Sequence, residues 1–249
     1  NCDLIFGFIL IEKQKIPMSF PLPIEIRRAQ KAVLIFHGLT GSPLEMESLA
    51  GPLHDRGFDV FVPCLLGHCQ SLEALRTTTA AQWLGQAEDL LQNIKRCGYQ
   101  QVFAAGLSFG ALLVAHLASG SRSLSGAVLL SPSLRLRSLF REVLLQVLSR
   151  LPDVLLDCLG FVKKRKWRPQ DSFLPRESYD SHSVAAGARL VFIRRLVLRN
   201  ASLLSVPLLV LQDPKDYHVL NSGVLSFRKK VACEDAQLVL ASAGSGKTM

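Results

Sequence analysis

Ser108 sits in Gly106-Leu107-Ser108-Phe109-Gly110, a G-x-S-x-G spacing, between the apolar run QVFAA and the small, apolar stretch FGALLVAHLA. A strand that turns straight into a helix at such a motif carries the serine hydroxyl out on a tight turn. The flanking glycines let the two backbones approach. The helix behind the serine adds partial positive charge where an oxyanion would develop. This context reads as a nucleophilic serine rather than a turn serine. A second candidate is His37-Gly38-Leu39-Thr40-Gly41, which follows the apolar run Lys31 to Phe36. There the backbone would act: the amide of Leu39, paired with that of Phe109, can hold an oxyanion. His37 itself reads as a structural histidine at a loop start.

HGLTGSP, then GHCQS (Gly67 to Ser71), then a TTxxxW helix start (Thr78 to Trp83), then GLSFG occur in one order along the chain. In that order they resemble the bacterial carboxylesterases and monoacylglycerol lipases of the α/β-hydrolase superfamily. The resemblance runs from about Pro21 to the end and is weakest between 135 and 205. It implies an α/β-hydrolase fold and cleavage of carboxylic esters through an acyl-enzyme on Ser108. Leu39 and Phe109 would supply the oxyanion amides. Monoacylglycerol or lysophospholipid is the implied substrate class, and no cofactor is implied. The acid is expected in Asp213-Pro214-Lys215-Asp216-Tyr217-His218, at Asp216, with Asp213 as the alternative. Cys69 stands where the related GHGxS loop has glycine. The position of the family's histidine is held by Lys247, in Ala243-Gly244-Ser245-Gly246-Lys247. A lysine acts as base near neutral pH only when burial lowers its pKa by several units. His218, beside the acid, and His182 are the other imidazoles weighed for the role. The C-terminus is expected to be truncated or divergent. A second reading is a catalytically impaired hydrolase fold that binds lipid or a partner.

The elements that must position these residues follow from periodicity. Short apolar runs at 31–36, 58–62, 101–105, 126–130, 207–211 and 237–241 read as strands. Helical spacing at 43–55, 79–96 and 109–118 lies between them. Continuous apolar strands alternating with helices predict an α/β fold, a mostly parallel sheet with helices on both faces. The length suits a single domain over 1–249. Between 135 and 205 the alternation stops. Helix-like stretches at 139–151, 154–161 and 184–198 predict a helical lid insertion there.

The formal net charge is +9, and the stretch Arg135 to Asn200 holds fourteen Arg and Lys against six Asp and Glu. Charge confined to one insertion does not fit a nucleic-acid groove, so no nucleic-acid partner is expected. The basic run Lys163 to Arg168, with Trp167 inside it, is expected either to be a solvated loop or to meet an anionic membrane surface. The early apolar run Leu4 to Ile11 is too short to span a bilayer and reads as an edge strand or arm. Six cysteines without C-x-x-C pairs read as reduced thiols in a cytoplasmic protein. No spacing of His, Cys and carboxylates suits a metal. Ala241 to Thr248 fits a relaxed phosphate-loop pattern. The helix such a loop needs does not follow, so nucleotide binding is the weaker reading of that tail.

Overall fold

The computed structural model describes residues 30–120, 124–163 and 179–241. Leu4 to Ile11, Lys164 to Arg168 and Lys247 lie outside the described residues.

Six strands form one sheet: β1 (Lys31–Phe36), β2 (Asp59–Phe61), β3 (Gln101–Leu107), β4 (Gly126–Leu130), β7 (Leu208–Gln212) and β8 (Ala236–Leu240). Their order is β2-β1-β3-β4-β7-β8, and every pairing in this sheet is parallel. The central strands are buried on both faces, which explains their unbroken apolar character, while the edge strand β8 is largely exposed. Along β1, Ala32, Leu34 and Phe36 enter one core, while Val33 and Ile35 enter the other. The smaller core is roofed by Met46 and by Ala50 and Leu53 of the helix that follows it, α1 (Glu47–Asp55). The larger core lies under α3 (Ala80–Arg96), α4 (Phe109–Gly120), α7 (Val184–Arg199) and α8 (Asn221–Arg228). Helices therefore cover both faces, as expected.

Helix α3 illustrates how the sequence sets an element. Thr79 caps it: the Gln82 amide donates to Thr79 Oγ1 at 3.2 Å, and the Thr79 amide donates to Gln82 Oε1 at 2.8 Å. Trp83, Ala87, Leu91 and Ile94 then recur at helical spacing and are all buried. A short helix, α2 (Leu72–Thr77), precedes it, with Ser71 as its cap. Neither α2 nor α8 stands out from the hydrophobic spacing alone.

The insertion between β4 and β7 departs from the expected run of helices. It contains α5 (Leu139–Leu148), α6 (Asp153–Leu156), then an antiparallel pair of strands, β5 (Phe161–Lys163) and β6 (Ser181–Ser183), and finally α7. The expected helix at 154–161 lasts one turn, because Cys158-Leu159-Gly160 ends it and the β-favouring Phe161 and Val162 follow. The two halves of the insertion also differ. Helix α7 belongs to the main core through Ala186, Leu190, Val191, Ile193 and Val197. Helix α5 leaves Leu139 and Phe140 71% and 75% exposed, and Val143 and Val147 are exposed beside them.

Two buried arginines of α7 fasten these halves. Arg194 donates through both terminal nitrogens to Glu142 of α5, at 3.0 and 2.6 Å. Glu142 also accepts the Leu136 amide at 3.0 Å and the Gln146 side chain at 2.7 Å. Arg189 donates to Asp153 at 2.7 Å, to Asp157 at 2.6 Å and to the Arg76 carbonyl. Burial alone pushes the Glu142 carboxyl up. The Leu136 amide and Arg194 outweigh it and hold the group below its usual range.

Glu142→Ala leaves Arg194 charged and buried with no carboxylate, and should cost about 3–5 kcal/mol in urea unfolding. Because the folded pKa of Glu142 is depressed, the stability it contributes is present above the ordinary carboxylate pKa and is lost as pH falls through the folded value. The gap between parent and variant should therefore narrow in acid.

Candidate functional site

Ser108 stands between β3 and α4 with φ of 54°, the left-handed conformation that non-glycine residues adopt only when held there. The hold is visible on both sides. A Cβ on Gly106 would collide with the backbone of Gly110, and one on Gly110 would collide with the carbonyls of Phe36 and His37. The Ser108 amide donates to the Leu130 carbonyl at 2.8 Å, which ties the turn to β4. The register sets Leu107, Leu130 and Leu211 side by side, so Ser108, Ser131 and Gln212 follow at one edge of the sheet.

The loop after β1 lies against this turn. A Cβ built on Gly38 would sit 3.9 Å from Ser108 Cβ. The loop closes on itself through the Gly41 amide to the Gly38 carbonyl at 3.1 Å, with Thr40 at φ of 67°. The Glu45 carboxylate fills the concave side of this loop and accepts the Gly38 amide at 3.4 Å. Leu39 and Phe109 thus flank the serine, and the Phe109 amide belongs to the first turn of α4, where amides have no intrahelical partner.

His37 is structural. It is fully buried, its Nδ1 lies 2.9 Å from the Gly38 carbonyl, and its Nε2 accepts the Leu65 amide at 3.2 Å. These two bonds fix a neutral tautomer with the proton on Nδ1. Burial, helped by nearby His68, pushes its pKa down to about 3. His68 is also buried, edge-on to His37 at 4.9 Å and stacked on Phe109 at 6.4 Å. Burial lowers it to about 4 against the pull of the Leu66 carbonyl. Neither ring can exchange a proton near neutral pH.

Asp216 lies four residues past the end of β7, at the same sheet edge as Ser108. Its Oδ1 accepts the amides of His218 at 2.7 Å and Val219 at 3.0 Å. The loop is clamped to the start of the insertion: Arg137 Nε donates to the Asp216 carbonyl at 2.9 Å, and Leu136 bridges Val219. Asp213 instead folds its carboxylate onto the Lys215 amide at 2.8 Å, a turn-forming contact. His218 is exposed.

Three features were not foreseen from the sequence. Ser133 Oγ lies 2.8 Å from Ser108 Oγ; among the described residues it is the partner of that hydroxyl, and no imidazole is bonded there. Only the Ser-Pro that ends the β4 run hinted at a turn here. Tyr179 reaches from the insertion into the loops at 40 and 67–70, with no motif to announce it. The expectation of reduced thiols is corrected at Cys64 and Cys69, which form a disulfide. Cys69 has φ of 56°, the conformation its glycine counterpart would favour. Its side chain is directed back onto Cys64, five residues earlier. Cys97, Cys158 and Cys233 remain reduced thiols, as expected. Among the described residues, no helix is long and apolar enough to cross a membrane.

Comparison with known proteins agrees with this architecture. The family described as serine aminopeptidase, S33, matches residues 27–245. The chain is 33% identical over 90 residues to a carboxylesterase of Bacillus subtilis, covering 36% of this chain and 37% of that one. It is 34% identical over 107 residues to a thermostable monoacylglycerol lipase of Bacillus sp. strain H-257, covering 43% and 42%. The chain thus spans about two fifths of the length of these relatives. One structure from a study of the metagenome-derived lipolytic enzymes LipS and LipT superposes with a TM-score of 0.73 at 21% identity, covering 86% of this chain and 84% of that one. That likeness shows the fold.

The buried histidines give a direct test. Both folded pKa values lie below the ordinary 6.5, so the unfolded chain binds more protons between roughly pH 4 and 6.5. Stability is full above that window and falls as pH drops through it, by up to about 2.7 kcal/mol per pH unit for two groups. Urea midpoints between pH 7 and 5 should show this slope, and His68→Gln should reduce it by about half. The matched residues and the architecture together place the chain in the serine aminopeptidase S33 family of α/β hydrolases.

Proposed function

We propose that the chain is a serine hydrolase of carboxylic esters with Ser108 as nucleophile, and that acyl esters such as monoacylglycerol or lysophospholipid are its substrates. The observation that carries this reading is the Ser108 turn itself. A strained φ of 54° is sustained by glycines on either side, with the Gly38–Gly41 loop against it. In the mechanism, Ser108 Oγ attacks the ester carbonyl carbon. The amides of Leu39 and Phe109 take up the charge on the carbonyl oxygen. The alcohol leaves with a proton, and water then cleaves the acyl-serine.

Asp216 would orient the general base. Strand β8 runs parallel to β7 and ends opposite Gln212, so the chain leaves the sheet at the edge that carries Ser108 and Asp216. That favours position 247 for the base, and here the residue is lysine. The relatives are named carboxylesterase and monoacylglycerol lipase, which accords with the substrate class. The outer half of the insertion, with its exposed Leu139, Phe140, Val143 and Val147, would serve as the lid over an acyl chain. Its apolar face and the basic stretch that follows it suit peripheral contact with an anionic membrane.

A second reading has one observation in its favour. Ser108 Oγ is bonded to Ser133, whose hydroxyl cannot take a proton near neutral pH. A hydrolase fold that binds acyl ligands without turning them over would look the same.

Two measurements separate these readings. A fluorophosphonate probe should label the parent protein and not Ser108→Ala, and Ser108→Ala should abolish hydrolysis of short p-nitrophenyl esters while leaving the melting curve intact. Activity that persists in this variant removes the nucleophile. Lys247→His should raise turnover by roughly 10²-fold or more, the scale of a positioned general base. A chain that neither labels nor gains from this change is the binding protein.

A further inference from the structure

The loop that carries Leu39 is held at both ends by one other loop, residues 64–70. At one end, the Leu65 amide donates to His37 Nε2 at 3.2 Å. At the other, Tyr179 forms a clip. Its hydroxyl donates to the Gly67 carbonyl at 2.9 Å and accepts the Gln70 amide at 3.0 Å, while its own amide donates to the Thr40 carbonyl at 3.2 Å. Tyr179 is separated from these partners by more than a hundred residues, and its hydrogen bonds join the insertion to both loops. Burial pushes its phenol above the ordinary value, so the hydroxyl remains a donor at neutral pH.

Loop 64–70 is itself braced. Trp83 Nε1 donates to the Leu66 carbonyl at 2.9 Å, Gln86 bonds Cys64 and Leu66 at 3.1 and 2.9 Å, and the Cys64–Cys69 disulfide closes the loop covalently. It is a stiff base onto which the Tyr179 hydroxyl is fixed. With that hydroxyl seated, the Tyr179 backbone is placed to hold Thr40, the neighbour of Leu39.

We propose that Tyr179 is a positioning residue for the Leu39 amide: it fastens the Gly38–Gly41 loop to the disulfide-closed loop 64–70 and couples the insertion to the oxyanion site. The inference rests on the reading of Leu39 as an oxyanion donor, but the coupling itself is separately measurable.

The test uses the full chain and Tyr179→Phe, which keeps the ring and the backbone amide and removes both hydroxyl bonds. Hydrogen–deuterium exchange of a peptide spanning 37–44 should rise, with the Gly41 amide exchanging about five- to thirty-fold faster, the scale of one to two lost hydrogen bonds. Exchange across α4 should not change. Labelling of Ser108 by a fluorophosphonate should slow by a similar factor, and for an ester substrate the loss should fall on kcat rather than KM. Reducing the parent with dithiothreitol opens Cys64–Cys69 to two thiols while the reagent becomes its cyclic disulfide. That too should speed exchange at 37–44, by less when the hydroxyl is already gone. Unchanged exchange at 37–44 overturns the coupling, as does an increase spread evenly over the sheet. If the parent does not label at all, the ester-hydrolase reading fails, yet the exchange comparison still decides whether Tyr179 holds the loop. Should Tyr179→Phe not fold, exchange in the reduced parent decides the same question: faster exchange at 37–44 supports the anchor, and unchanged exchange overturns it.

Discussion

The contact on which the site depends is the approach of Gly110 to the carbonyls of Phe36 and His37. No side chain fits between the first turn of α4 and the end of β1. The helix therefore lies close over the sheet, and Gly106 is pressed onto Gly110 by the same closeness. Ser108, caught between them, has no relaxed conformation to fall into and takes φ of 54°. One steric constraint thus places the serine above the sheet edge, the first amides of α4 beside it, and the Gly38–Gly41 loop against it. The apolar burial of α4 supplies the force: Phe109, Leu112, Leu113, Val114 and Leu117 are all buried in the larger core.

Around that fixed centre the chain uses polar contacts where mobility would be costly. Helix α7 crosses from core to insertion, and its two buried arginines would be a liability without partners. Each reaches carboxylates on the outer helices, so charge adds to the apolar packing of Leu145, Leu148 and Leu156 against Ala185 and Ala188 in attaching the outer layer. Leu139, Phe140, Val143 and Val147 of α5 are left to face outward. An outer layer built this way keeps its ion-pair attachment when its exposed face changes environment, because the two use different residues.

Much of this was legible in the sequence, for physical reasons. Strands buried on both faces leave continuous apolar runs, so the sheet and the turn at Ser108 could be read directly. The helix expected at 79–96 announced itself by its apolar spacing, and the structure starts it one residue later, at Ala80. The insertion was harder. Cys158-Leu159-Gly160-Phe161-Val162 fits a helical apolar pattern as well as a strand, and its pairing with Ser181–Ser183 depends on residues some twenty positions away. The Arg194–Glu142 bond, the Ser133 contact and the Tyr179 clip are likewise long-range, and no local spacing encodes them. Cys69 was visible as an odd residue in a glycine position, yet nothing in a spacing of five residues distinguishes a disulfide from two free thiols.

The histidines bear most on what limits chemistry at this site. His37 and His68 are close to the serine turn, but burial has removed them from proton exchange near neutral pH; their task is to hold loops. Among the described residues, the Ser108 hydroxyl is bonded to a hydroxyl and not to an imidazole. On the proposed reading, the parts that stabilise charge are preorganised and the part that moves a proton is the weak one. Each preorganised oxyanion donor is worth about 10²–10³ in rate, and a general base about 10²–10⁴. An enzyme with the first and a poor version of the second would bind and slowly acylate rather than turn over rapidly. Reactive probes that carry a good leaving group depend least on proton transfer, whereas substrates with alkoxide leaving groups depend on it most. The difference between those two classes of ester measures the base directly, independent of how tightly either is bound.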